Sequence, residues 1–167
     1  HLHFCEIADN CLPYKVGTHQ HLPEIINYCQ QFANATIQPM MTTHLLPVRR
    51  GIIASIYCHF RPEYRLLNQS HQIELIRDAM TQYYKDYPLV KFSSLNNDNR
   101  DKKMLALTHV VGTSQNHIGF SVNHSQIYLF STIDNLLKGA ASQAIENFNA
   151  IIKLPCSTGL TQQECIL

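Results

Sequence analysis

The stretch HIGFSVNHSQIYLFST, residues 117–132, constrains this chain more than any other, because it reads as two β-rich runs, 117–122 and 126–132, broken by a short polar Asn-His-Ser turn. Runs of that kind pair as an antiparallel hairpin. Any fold for the chain must therefore contain a β-sheet. Further β-rich segments are read at 36–43 (TIQPMMTT), 51–60 (GIIASIYCHF), 89–93 and 105–111, and in 51–60 the alternation sets Ile52, Ala54, Ile56, Cys58 and Phe60 on one nearly all-apolar face.

Helices are read at three places. Residues 23–34 (PEIINYCQQFAN) begin with Pro23, whose missing N–H suits a first helical turn, and Glu24 complements the helix dipole there. Ser70 caps a helix to about residue 84 with Ile73, Ile76, Met80 and Tyr83 toward the core, and Pro88 follows it. Residues 134–152 form a long helix with Leu137, Ala140, Ala141, Ala144, Ile145, Phe148 and Ile152 along a broad apolar face. The segment 94–103 is a polar loop. Strands grouped together, flanked by a few helices and without regular strand–helix alternation, predict an α+β fold with a mixed, largely antiparallel sheet. The length of 167 residues suits one domain with one core, and neither a repeat nor a linker divides it.

Composition narrows the partners. A net charge of +1, with the basic residues dispersed, supplies no phosphate-backbone footprint, so nucleic acid is not an expected partner. Apolar runs too short to span a bilayer, and the lack of a basic-then-apolar leader, predict a soluble, cytoplasmic protein with no membrane partner. The six cysteines form no CxxC pair, which argues against a zinc knuckle and for thiols in a reducing compartment. The chain starts at His1, which predicts a processed product or a piece of something longer.

Three stretches could carry chemistry. His19 and His21 lie just ahead of a helix, at i and i+2, and three readings stay open: a polar turn, an acid/base station with Glu24 orienting a ring, or a metal pair with His1 and His3. Arg49 and Arg50 stand in the turn leading to strand 51–60, where a guanidinium offers a fork for carboxylate or phosphate, or is simply solvated. In 131–149, Asp134 can cap the helix, Asn135 offers an amide, and Gly139-Ala140-Ala141 makes a smooth strip for close packing or a flat ligand. The sequence contains no GxGxxG, Walker or GxSxG loop.

Three motifs in order, YKVGTHQHLPEI (14–25), HLLPVRRGIIASIY (44–57) and DNLLKGAASQAIENFN (134–149), closely resemble the N-acetyl-gamma-glutamyl-phosphate reductases. The likeness runs on through VVGTSQNHIGF (110–120) and TGL near the end, so it covers essentially the whole chain; Ser114 stands where many members have asparagine. The third motif is shared with the aspartate-semialdehyde dehydrogenases.

The resemblance implies a two-domain enzyme that reduces an acyl phosphate to N-acetylglutamate semialdehyde with NADPH, for arginine biosynthesis. It implies that this chain is the second domain, like the C-terminal domain of glyceraldehyde-phosphate and semialdehyde dehydrogenases, residues 1–167 serving substrate binding and dimerisation. The dinucleotide fingerprint and the nucleophilic cysteine, in a Gly-Cys-Tyr-Pro context, would belong to an N-terminal Rossmann domain, on which helix 134–152 would dock. The isolated chain is then expected to be inactive and to carry no cofactor or metal, and its helix face of Leu137, Ile145 and Phe148 should be partly bare. By the same resemblance His19 or His21, with His19 preferred, is the acid/base; Arg50, with Glu24 and Arg49, holds the substrate; and Asn135 and Gly139 border the nicotinamide. A homodimer or homotetramer is implied. The rival reading is a scaffold domain that keeps the fold without the chemistry.

Overall fold

The computed structural model describes residues 7–96 and 102–161. They form two compact units, 1–49 and 50–167. His1 and His3, and half of the loop read at 94–103 (residues 97–101), lie outside the described residues.

The first unit holds strands β1 (Leu12–Tyr14) and β2 (Thr43–Leu45) and helix α1 (His21–Gln30). The strands pair antiparallel, Leu12 opposite Leu45 and Tyr14 opposite Thr43, and the Thr43 hydroxyl donates to the Tyr14 carbonyl at 2.6 Å. Between β1 and α1 the chain reverses through Lys15 and Gly17, both with positive φ, a conformation that glycine adopts without steric cost. Helix α1 starts two residues before the position expected from Pro23 and stops four before the expected end. It ends because the Gln30 side chain folds over the next turn, donating to the Ala35 carbonyl and accepting from the Ile37 N–H. The strand read at 36–43 does not form; only its last residue, Thr43, enters β2. Pro39 offers no N–H to a ladder and Met40 is fully exposed, so nothing rewards an extended pairing there.

The second unit holds β3 (Ile52–His59), a short helix α2 (Pro62–Arg65), α3 (Gln69–Tyr84), β4 (Val90–Ser94), β5 (Asn116–Asn123), β6 (Gln126–Ile133) and α4 (Ser142–Ile151). Its sheet has the order β3-β6-β5-β4, antiparallel at β3/β6 and β6/β5 and parallel at β5/β4. The α+β expectation with a mixed, largely antiparallel sheet is met, and the hairpin sits where the polar turn put it. His124 and Ser125 take positive φ at its tip.

Helix α3 is capped by Asn68, whose side chain accepts the His71 N–H at 3.0 Å, and not by Ser70. Ile73, Ile76 and Met80 are partly buried as expected, but Tyr83 is 70% exposed and Tyr84 takes the inward place, its ring 6.4 Å from that of Phe92 on β4. The spacing 73, 76, 80, 84 follows the 3.6-residue period better than one ending at 83.

Residues 105–111 were expected as a strand and instead make one 3₁₀ turn, Leu107–His109, within a loop. The apolar residues of that loop cover the sheet from outside. A Cβ on Gly119 of β5 would come within 2.8 Å of the Leu105 side chain, and one on Gly51 within 2.9 Å of Leu107. A short apolar run has the same pattern whether it pairs in a sheet or lies across it.

The helix read at 134–152 begins as a π turn, Leu137–Ala141, with the Gly139 N–H bonded to the Asp134 carbonyl at 2.9 Å, before it continues as α4. Its inward side is polar: Ser142, Glu146 and Asn149 are buried, whereas Ile145 is 44% and Phe148 58% exposed. Of the expected contact residues only Leu137 is buried. The apolar face therefore points away from this chain's own core.

Candidate functional site

In the first unit His19 is buried while His21 is exposed. His21 lies in the first turn of α1 and Glu24 one turn on, so its Nδ1 meets Glu24 Oε2 at 2.9 Å. The backbone N–H of His21 donates to His19 Nδ1 at 3.3 Å, and the Tyr14 ring meets the His19 ring edge-on with centroids 5.7 Å apart. With Nδ1 engaged as acceptor, the neutral ring carries its proton on Nε2. The two histidines thus differ: one is held, the other is tied to a surface carboxylate. Among the described residues no group of three or more His, Cys, Asp or Glu could hold a metal.

In the second unit Asp134, fully buried, joins three chain segments. Its Oδ1 accepts the Leu136 and Leu137 N–H groups at 2.8 and 3.1 Å, and its Oδ2 accepts the Gly112 N–H at 2.8 Å and meets the Arg50 guanidinium at 3.0 Å. Burial pushes this carboxyl up, but the three N–H donors and Arg50 together outweigh it and hold it below its ordinary value. Asn135 is committed in part, its Oδ1 accepting the Gly51 N–H at 2.7 Å. Asp134 and Asn135 thereby anchor the neighbouring residues Arg50 and Gly51 that lead into β3. Arg49 is exposed, as is Gly139, where a Cβ would stand 3.3 Å from the Ile133 side chain. Asp134 was read as a helix cap, but the ion pair to Arg50, 84 residues away in sequence, had no local signal.

A second buried cluster was missed by the sequence reading. Lys138 Nζ contacts Glu146 Oε1 at 2.6 Å, the Tyr87 hydroxyl at 2.5 Å and Gln143 Oε1 at 3.0 Å, and Tyr87 also bonds Glu146. Burial first, then the Glu146 hydrogen bond and charge, push the Tyr87 phenol up. The spacing Lys138 to Glu146, two helical turns, is the one available hint, and it looks the same for an exposed pair.

The sheet and its flanking helices have the fold of the semialdehyde dehydrogenases: the aspartate semialdehyde dehydrogenase of Francisella tularensis superposes with a TM-score of 0.62 at 22% identity, over 89% of this chain and 40% of that one. The chain belongs to the semialdehyde dehydrogenase dimerisation-domain family, whose model matches residues 1–135. It is 40% identical over 162 residues to the N-acetyl-gamma-glutamyl-phosphate reductase of Clostridium botulinum, strain Eklund 17B, and 32% identical over 163 residues to that of Streptococcus gordonii. These alignments take in 95% and 96% of this chain but 43% and 44% of the relatives, so the chain spans less than half of their length. No helix among the described residues is long and apolar enough to cross a membrane.

Proposed function

We propose that this chain is the substrate-binding and oligomerisation domain of an NADPH-dependent reductase that converts N-acetyl-glutamyl 5-phosphate to N-acetylglutamate 5-semialdehyde, in arginine biosynthesis. The single observation that carries the reading onto this chain's own residues is the held histidine. His19 is buried at the start of α1, with Nδ1 bonded to the His21 N–H, so Nε2 is the nitrogen left to give and take a proton. His19 is the acid/base in this reading. His21, bound to Glu24, shapes the turn that holds it.

Arg50 holds substrate charge from the turn before β3, oriented by Asp134, and the exposed Arg49 beside it adds positive potential. The residues for a nicotinamide fit in kind. Asn135 spends its carbonyl oxygen on Gly51 and keeps an amide N–H₂ to donate, and Gly139 is exposed and carries no side chain of its own. When bound, NADPH supplies the hydride. The nucleophilic cysteine and the dinucleotide fold belong, in this reading, to an N-terminal domain, and the exposed Ile145 and Phe148 face of α4 docks on it. A cytoplasmic homodimer or homotetramer is the working form.

The test is turnover of the intact protein with N-acetylglutamate 5-semialdehyde, inorganic phosphate and NADP, compared for the parent, His19→Ala and His21→Ala. The parent should turn over, and His19→Ala should lose on the order of 10²-fold or more in kcat, the usual scale for a general acid/base, with His21→Ala far less affected. No turnover by the parent would leave a scaffold domain that has kept the fold.

A further inference from the structure

A cleft of about 310 Å³ opens in the second unit, lined by Lys91, His109, Thr113, Ser114, Gln115, Leu160 and Thr161. None of its residues figures in the proposed reaction. Its lining carries an ammonium, an imidazole, an amide and three hydroxyls, one aliphatic side chain and no carboxylate. A cation in a concave polar site with no anionic wall attracts a negative ligand.

The wall is built beforehand. Thr113 donates its hydroxyl to the Val110 carbonyl and accepts the Gln115 N–H, and the Gly112 N–H is held by Asp134. The Ser114 and Ser142 hydroxyls lie 2.8 Å apart, so with Ser142 as donor the Ser114 proton is left for the cleft. Lys91 is the register partner of His117 across the parallel β4/β5 pair.

His117, behind the lining, adds an independent sign. Its Nδ1 lies 2.8 Å from the Met104 carbonyl and its Nε2 3.1 Å from Gln115 Oε1, so both ring nitrogens face acceptors, a frame that suits the doubly protonated ring. Burial opposes that charge most, and Lys91 and His109 oppose it further, so the ring's pKa is lowered despite the Met104 bond. An anion beside Lys91 and His109 would cancel the repulsion. With its Oε1 toward His117, Gln115 has its N–H₂ to donate to such an anion.

We propose that this cleft is a binding site for a small multivalent oxyanion, gripped by Lys91, His109, the Ser114 hydroxyl and the Gln115 amide. The chemistry is shared by free phosphate and by small dicarboxylates, and the test separates them. Calorimetric titration of the intact protein at low ionic strength with inorganic phosphate, and separately with succinate, is repeated on Lys91→Gln, on His109→Gln and on His19→Ala. The site is expected to bind at least one of the two probes, with affinity reduced about tenfold or more in Lys91→Gln and in His109→Gln and unchanged in His19→Ala.

Lys91 and His109 are exposed, so both variants should fold, which thermal melting verifies. The His117 ring, followed by NMR, should titrate at higher pH when the probe is present. No binding of either probe to the folded parent would overturn the proposal. So would binding that both cleft variants keep in full, or that His19→Ala abolishes, which would place the anion in the proposed active site. Because the readout is binding and not turnover, failure here leaves the reductase reading untouched.

Discussion

Asp134 is the residue on which most of the second unit's site depends, since its carboxylate holds three N–H donors and the Arg50 guanidinium. Removing one partner of a buried pair leaves the other charge unpaired, so Asp134→Ala should cost about 3–5 kcal/mol in urea unfolding. A loss below about 1 kcal/mol, the scale of exposed pairs, would show that Arg50 readily finds other solvation. The same residue and His117 make stability depend on pH in one direction. Both groups have pKa values lowered in the fold, Asp134 from 3.8 and His117 from 6.5. The unfolded chain therefore binds protons first as pH falls. Stability is full above 6.5, declines below it as His117 would have to charge while buried, and declines again below 3.8 as Asp134 loses its charge. Urea midpoints measured between pH 8 and pH 5 should fall toward the acid end, and His117→Gln should flatten that slope. An unchanged slope would assign the decline to other groups.

At the scale of elements, α4 turns its polar side inward. The Lys138–Glu146–Tyr87 cluster, the Ser114–Ser142 pair and the Asn149 bonds to the Cys156 and Thr158 carbonyls set that rotation. The double substitution Phe148→Asp with Ile151→Asp changes residues 58% and 78% exposed, so it should leave helicity by circular dichroism intact. In the intact protein it should speed proteolysis between the two halves, if the face docks as proposed; cleavage at the parent's rate would show that the face covers nothing there. Elements were legible where period and punctuation agreed. The hairpin 126–132 with 117–122 and the strand at 51–60 stand within a residue or two of their expected positions, because alternation and a polar turn specify them locally. The run 105–111 was not, since Leu105 and Leu107 are apolar in order to cover Gly119 and Gly51, a reason that lies in other segments.

For the molecule as a whole, the chain covers 43% of a relative such as the Clostridium botulinum reductase, and its family is defined as a dimerisation domain. Ile52, Ile53, Ile56 and Tyr57 on the edge strand β3 are all nearly half exposed or more. Sedimentation equilibrium of the intact protein at micromolar concentration should therefore give a dimer or tetramer, and a monomer would remove the oligomeric part of the reading. By itself the amino-acid sequence determined the α+β class, the hairpin, the histidines ahead of α1 and the likeness to the reductases, all written in short-range pattern or in motifs. Tertiary structure alone decided that His19 is the held histidine, that Arg50 is oriented by Asp134, that α4 faces inward with its polar side, and that a cationic cleft forms beside His117. The pairs Arg50–Asp134, Tyr87–Glu146 and Ser114–Ser142 join residues far apart in the chain, and the state of His19 turns on its burial; no local period encodes either.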